Sequence, residues 1–385
     1  MWGMKYIDHI NVLKNKEKPI LEEQDVGYRK IQCVGRGSHI ISLPKGWILD
    51  HGLKKGSQLL CRIQEDSSLL LIPREILEKR KAEEKPRLRE FTLTVSSKDD
   101  PGSICRKIIA LYVISADMIH IRFKDGDFIA KHKASINDLV RNTLLGSEII
   151  DEKPNEITLQ ILINHSEFPV EKAIRRMLIL AISADKEVIS SFISLDEAKI
   201  RNIMDTYKDV NRLNLYVIRQ LKYCLERNLF KDLEFKSPKE FLGYRIVVND
   251  IRGIAKNSLN IAKNIMALKR LVDNNLLILK EPVDEEVSSQ ITQFNSSAHQ
   301  LFEDSMKALF KRDVNLANEI ISKVEASVTL ENDLVTLISS KKMDPNVSSI
   351  LRLIIDNSRR LMEYSQNVAE ITLNRAIEEI SSIFP

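Results

Sequence analysis

Cysteine is scarce in this 385-residue chain. Cys33, Cys61, Cys105 and Cys224 stand far apart, with no CxxC pair and no adjacent histidine pair, which argues against a disulfide framework and a zinc site. They read as buried or incidental thiols. Long apolar runs are missing too: none approaches the ~20 residues that span a bilayer. The opening stretch MWGMKYIDHINVLKNKEKPI lacks the apolar core of a signal peptide, so the expectation is a cytoplasmic protein without membrane insertion. The seven histidines are dispersed, and no Ser/His/Asp order, nucleophile elbow, HExxH or glycine-rich phosphate cradle is present. The chain therefore reads as a non-enzyme, with no catalytic residues and no cofactor. Net charge is only +4, which alone selects no partner. Glycine nearly vanishes after residue 168, as long uninterrupted helices require.

What is present is an internal repeat. The string NDIRGIAKNSLNIA (249–262) is echoed by DNSRRLMEYSQNVA (356–369); a shift of 107 residues puts Arg252 on Arg359, Ser258 on Ser365, Asn260 on Asn367 and Ala262 on Ala369. Tyr244, Val247, Ile254 and Ile261 hold the register of Leu351, Ile354, Leu361 and Val368, a narrow apolar seam at helical spacing. Long helices are expected over 238–273 and 345–383. Around them the pattern gives three helices twice over, 168–280 and 282–385, with breaks at Asp232–Ser237, Glu281–Asp284 and Lys341–Asp344.

The N-terminal part differs. Residues 1–26 are polar and aperiodic and read as an arm. Residues 27–75 hold short strands and turns, a brief helix over Lys45–His51 after Pro44, and a hairpin of Gln58–Gln64 with Ser68–Pro73. Between Gly27 and Arg62 the cations are Arg29, Lys30, Arg36, Lys45, Lys54, Lys55 and Arg62 against the single acid Asp50, a local positive field suited to phosphate backbone. So small a module cannot bury a core alone, which points to an intertwined dimer. A charged linker (76–90) breaks at Pro86. Residues 91–165 read as an α+β unit: strands Phe91–Ser96, Met118–Phe123 and Ile157–Ile163, helices Pro101–Ile114 and Ala134–Leu145. The triplet Asp125-Gly126-Asp127 reads as a plain hairpin turn, since no ladder of calcium ligands follows it.

Two resemblances carry functional implications. Gly35, Arg36, Ile41, Leu43 and Pro44, the short helix with Trp47, and GLKKG (Gly52–Gly56) resemble the AbrB/SpoVT/MazE swapped-hairpin DNA-binding domain. That likeness implies interleaved hairpins from two chains, with Arg29, Lys30, Arg36 and Lys45 touching DNA. The family often has a basic pair late in the short helix, where this chain has Leu49 and Asp50. DVNRL (209–213) and YRIVVNDIRGIAKNSLNIA (244–262), with its echo, resemble PhoU, the phosphate-uptake regulator. PhoU proteins typically carry acidic pairs on the third helices that hold iron or zinc. Here those positions are Arg252, Lys256, Arg359 and Glu363, so no metal site is carried over; Asp250 and Asp356, nearby, read as solvent-facing helix acids.

The fold expected is thus multidomain and mainly α: a small β swapped-hairpin domain, an α+β middle unit and two tandem PhoU-like three-helix bundles, an arrangement similar to archaeal regulators. The function implied is a dimeric, DNA-binding transcriptional regulator of phosphate uptake and homeostasis. Its partners would be DNA, a second copy through residues 27–75, and a phosphate transporter ATPase or signalling protein. The alternative is an accessory protein that does not bind DNA and negatively regulates the transporter through its bundles. An antitoxin role fits poorly, because toxin-neutralising tails are short and disordered.

Overall fold

The computed structural model describes residues 10–12, 27–34, 37–63, 67–76, 88–124, 129–163, 168–194, 196–227, 229, 233, 235, 237–276 and 284–381. They fall into two compact units, one of residues 11–90 and one of residues 1–10 with 91–385. The first strand, β1 (Ile10–Val12), lies within the stretch that the sequence suggested was an arm.

In the smaller unit, β2 (Gln32–Val34) pairs antiparallel with β3 (Ser38–Ile40). Pro44 then starts the short helix α1 (Lys45–Asp50). Gly52, at φ +62°, takes the left-handed turn that lets the Leu53 amide reach back to the Ile48 carbonyl at 2.9 Å. A second hairpin, β4 (Leu59–Ile63) with β5 (Leu69–Pro73), follows in antiparallel register. Its apolar side chains have little to pack on: Ile31, Ile40, Ile41, Leu49, Leu60, Ile63, Leu69 and Leu70 are all exposed. The turn residues 64–66 and the Pro86 break lie outside the described residues.

The larger unit begins with an α+β portion. Its elements are β6 (Glu90–Val95), α2 (Pro101–Val113), β7 (Met118–Phe123), α3 (Ile129–Asn142), β8 (Ser147–Lys153) and β9 (Glu156–Ile161). The sheet order is β1-β6-β7-β9-β8, with β9 antiparallel to both of its neighbours. Leu93, Ile104, Ile108, Ile119, Ile121, Ile136 and Leu159 fill the core between sheet and helices. Two expectations needed correction. The strand β8 was missed because SEIIDEK is too polar to read as one, most of its side chains remaining partly or fully exposed. Helix α3 starts five residues earlier than the 134 expected. The Asp125–Asp127 triplet lies outside the described residues.

Six helices complete the chain: α4 (Val170–Ser194), α5 (Glu197–Glu226), α6 (Glu240–Asp273), α7 (Glu285–Lys311), α8 (Val314–Ser340) and α9 (Pro345–Ser381). Asp196, Asp284 and Asp313 cap α5, α7 and α8 by accepting hydrogen bonds from first-turn amides. The two trios do not hold separate cores: one apolar cluster runs through all six helices. The third helices of the trios cross antiparallel. Gly253 lies under the Tyr364 ring and Gly243 under Ile371, so a Cβ at either position would meet the opposing side chain at 2.7 Å. Asn367 donates to Asp250 between these contacts at 3.1 Å. This pairing puts Ile254 and Leu361, equivalent residues of the two copies, near the centre of the crossing, so a pseudo-twofold axis passes between α6 and α9. Arg219, buried on α5, fastens the trio to the α+β portion by donating to the carbonyls of Tyr112 and Ala116 at 2.9 and 2.7 Å, beside Asp117 at 3.4 Å.

Candidate functional site

Three places hold the residues that could do chemistry. In the smaller unit, Arg29, Lys30 and Lys45 are exposed, as are Lys54, Lys55 and Arg62. Arg29 donates to the neighbouring Tyr28 carbonyl at 3.1 Å, and Lys45 stands on the first turn of α1. Arg36, the remaining predicted contact, lies outside the described residues. Leu49 and Asp50 both face solvent at the end of α1.

The second place is the outer face of α6 and α9. Arg359 is turned inward onto α8, donating to the Val324 carbonyl at 3.2 Å and to Ser327 at 2.9 Å, with Glu331 and Glu363 each 3.6 Å from its Nε. Lys256 is exposed and Arg252 half-buried. Among the described residues, no three or more His, Cys, Asp or Glu side chains converge as a metal ion would require. Asp356 is exposed and paired with Arg360 at 3.0 Å, in keeping with a solvent-facing acid.

Asp250 is not solvent-facing. It is 5% exposed, held under α9 against Asn367. Burial, only partly offset by the Asn367 amide, pushes its carboxyl from 3.8 up to about 6. A pKa raised by folding means that the fold tolerates the neutral acid and disfavours the carboxylate. Stability is full below pH 3.8 and declines as pH rises through about 6. The equivalent position in the second copy is already an amide, Asn357. Asp250→Asn should therefore be neutral at pH 4 and stabilise by about 2 kcal/mol at pH 8, read as a rise in the urea midpoint at the higher pH alone.

The third place was not anticipated from sequence. Asp185 of α4 is fully buried where both trios meet. His299 of α7 lies 2.6 Å from one carboxylate oxygen, and Asn295 of the same helix donates to that oxygen at 3.3 Å. Ser258 of α6 and Asn357 of α9 donate to the other at 2.8 and 2.5 Å. Asn295 also donates to Ser358 at 2.9 Å. Burial pushes the Asp185 carboxyl up, but the hydrogen bond and electrostatic pull of His299, with Ser258 and Asn295, outweigh it and hold the pKa below its ordinary value. Every donor is committed to one carboxylate, so the cluster is built to hold four helices together. It leaves no open ligand position.

Comparison with known proteins bears on the helical region. The PhoU domain matches residues 174–265 and again residues 291–372. No curated protein matches the sequence. Among solved structures, PhoU from Pseudomonas aeruginosa is similar at 12% identity and a TM-score of 0.44, over 56% of this chain and 100% of that one. The phosphate transport system regulatory protein PhoU from Streptococcus pneumoniae is similar at 16% identity and a TM-score of 0.44, over 54% of this chain and 94% of that one. Helices α4–α6 and α7–α9 are thus two copies of the PhoU domain, packed about a single shared core.

Proposed function

We propose that the protein is a regulator of phosphate uptake and homeostasis whose helical half docks on a phosphate transporter or signalling protein, and whose residues 27–75 dimerise and bind DNA. The first part rests on the two PhoU domains. The observation that carries the second is that the smaller unit combines exposed cations with exposed apolar strands. Arg29, Lys30, Lys45, Lys54, Lys55 and Arg62 face solvent beside uncovered Ile31, Ile40, Leu60, Ile63 and Leu69. A second copy would cover the apolar strands, and the cations would then neutralise phosphates on both sides of a twofold axis. A partner favouring one arrangement of the bundles would shift DNA affinity through linkage.

The test is a salt titration of binding to duplex DNA by the full chain, with its mass measured in solution. A dimer whose affinity falls steeply with salt, and whose salt slope shrinks by about 2 in Arg29→Ala/Lys30→Ala, is the expected result. A monomer, or a chain that ignores DNA at low salt, would overturn it. The second reading, an accessory protein that does not bind DNA, draws on exposed Leu49 and Asp50 on α1, where a DNA-contacting pair would be basic. It is favoured if a transporter ATPase is retained while DNA is not.

A further inference from the structure

The outer face of α6 carries a feature that neither the domain match nor the DNA reading uses. Arg245, Arg252, Lys256, Lys263 and Arg270 follow one another at intervals of seven, four, seven and seven residues. At 3.6 residues per turn these side chains leave the helix within about 20° of a single line, and at 1.5 Å per residue the row extends about 38 Å. Arg245, Lys256, Lys263 and Arg270 are exposed and Arg252 is half-exposed. None has an ion-pair partner among the described residues. Arg245 shows the strain of this crowding: partial burial and then the neighbouring Arg252 charge push its pKa below the ordinary guanidinium value.

The second copy makes the contrast. The α9 positions equivalent to these five are Arg352, Arg359, Glu363, Glu370 and Ile377. Two cations there face two acids; Arg352 is engaged by Ser339 at 2.7 Å, and Arg359 is held by α8 and flanked by Glu331 and Glu363. One face of the duplicated helix pair is thus neutralised internally, while the other is left as an open line of positive charge. Uncompensated like charges along one ridge destabilise the free protein and are relieved by a polyanion.

The rest of the ridge restricts which polyanion fits. Asn249 falls between Arg245 and Arg252, and Asn260 between Lys256 and Lys263, both exposed. Their amides add donors between the charges. The line carries no aromatic side chain on which a base could stack, as binders of single-stranded nucleic acid require. Apart from Leu242 and Ile246 at its start it offers no apolar seam for a partner helix. A convex helix, moreover, does not fit a duplex groove by its backbone. We propose that the α6 ridge binds a linear, base-free chain of phosphates, that is, inorganic polyphosphate, laid along the helix. Arginine and lysine supply charge and the two asparagines supply hydrogen bonds. The site lies in the larger unit and is independent of the DNA contacts assigned to residues 27–75.

The test measures binding of long-chain inorganic polyphosphate to the full-length protein across a range of salt. Saturable binding at low salt is expected, weakened more than about tenfold in Lys256→Glu/Lys263→Glu and left unchanged in Arg29→Glu/Lys30→Glu. The DNA affinity of the same two variants should respond in the opposite pattern, so failure of one reading leaves the other standing. Both substituted residues on α6 are solvent-facing, and matching thermal melts for the variant and parent would establish that the fold is intact. Reversal of a second pair, Arg245→Glu/Arg270→Glu, serves should the first variant melt early. No binding at low salt, equal competition by orthophosphate at the same total phosphate, or an α6-dependent affinity for single-stranded DNA as high as for polyphosphate would each overturn the proposal.

Discussion

Replacing Asp185 by alanine should weaken the whole helical region and not merely one helix, because the carboxylate accepts from α6, α7 and α9 at once. Removing the acceptor strands His299, Asn295, Asn357 and Ser258 in an apolar interior with no water to receive them. Loss of one partner from a buried charged cluster costs about 3–5 kcal/mol, a large share of the ~5–15 kcal/mol that holds a domain folded. Ser258→Ala removes a single donor, which also bonds its own helix at the Ile254 carbonyl, and should cost only about 1 kcal/mol. The effect depends on pH in a defined direction. The folded pKa of Asp185 lies below 3.8, so its contribution is intact above that pH and is lost as pH falls through the folded value. Urea midpoints for the parent should therefore fall with acid in that range while those of Asp185→Ala change less, the two curves converging. Parallel curves, or a variant as stable as its parent at neutral pH, would remove Asp185 from this role.

The sequence carried the helical half clearly and the site chemistry poorly, for physical reasons visible in single residues. The duplicated helices were legible because the repeat spaces its seam and its polar marks alike: Ser258 and Ser365, matched at the start, are both buried and each bonds the carbonyl four residues back on its own helix. Asp185 was not legible, although it lies on the apolar stripe of Ala181, Ile182, Val188 and Ile189. An acid on such a stripe looks like any surface charge until the helices that supply its donors are in place, and those residues lie 73 to 172 positions away. Asp250 failed in the same way: its neighbour Arg252 reaches solvent, and only the close approach of α9 over Gly253 buries the carboxyl. In the smaller unit the cations were legible by composition, but what covers the apolar strands is not a property of one chain.

Duplication also permits a prediction about the buried ion pair at one end of the α6–α9 crossing. Arg375 sits 2.5 Å from Glu240, donates to the Tyr244 hydroxyl at 3.2 Å and the Leu309 carbonyl at 3.3 Å, and lies over the Tyr244 ring; both charged residues are nearly buried. The pseudo-twofold axis maps this pair onto Leu268 and Val347, so the other end of the same crossing is built from apolar side chains, both within the shared core. The fold can therefore be closed either way. Two charges withdrawn from water regain by mutual attraction about what they lose in hydration, whereas a single one left behind regains nothing. Arg375→Leu alone should cost about 3–5 kcal/mol, since Glu240 would keep its charge without a partner. The double replacement Glu240→Val/Arg375→Leu, copying the opposite end, should recover most of that loss and come within about 1 kcal/mol of the parent or exceed it. Urea unfolding of the four proteins of this cycle gives the coupling directly. A double variant as unstable as the sum of its single replacements would mean that the ion pair is not interchangeable with its apolar counterpart, and that the two ends of the crossing have diverged in what they require.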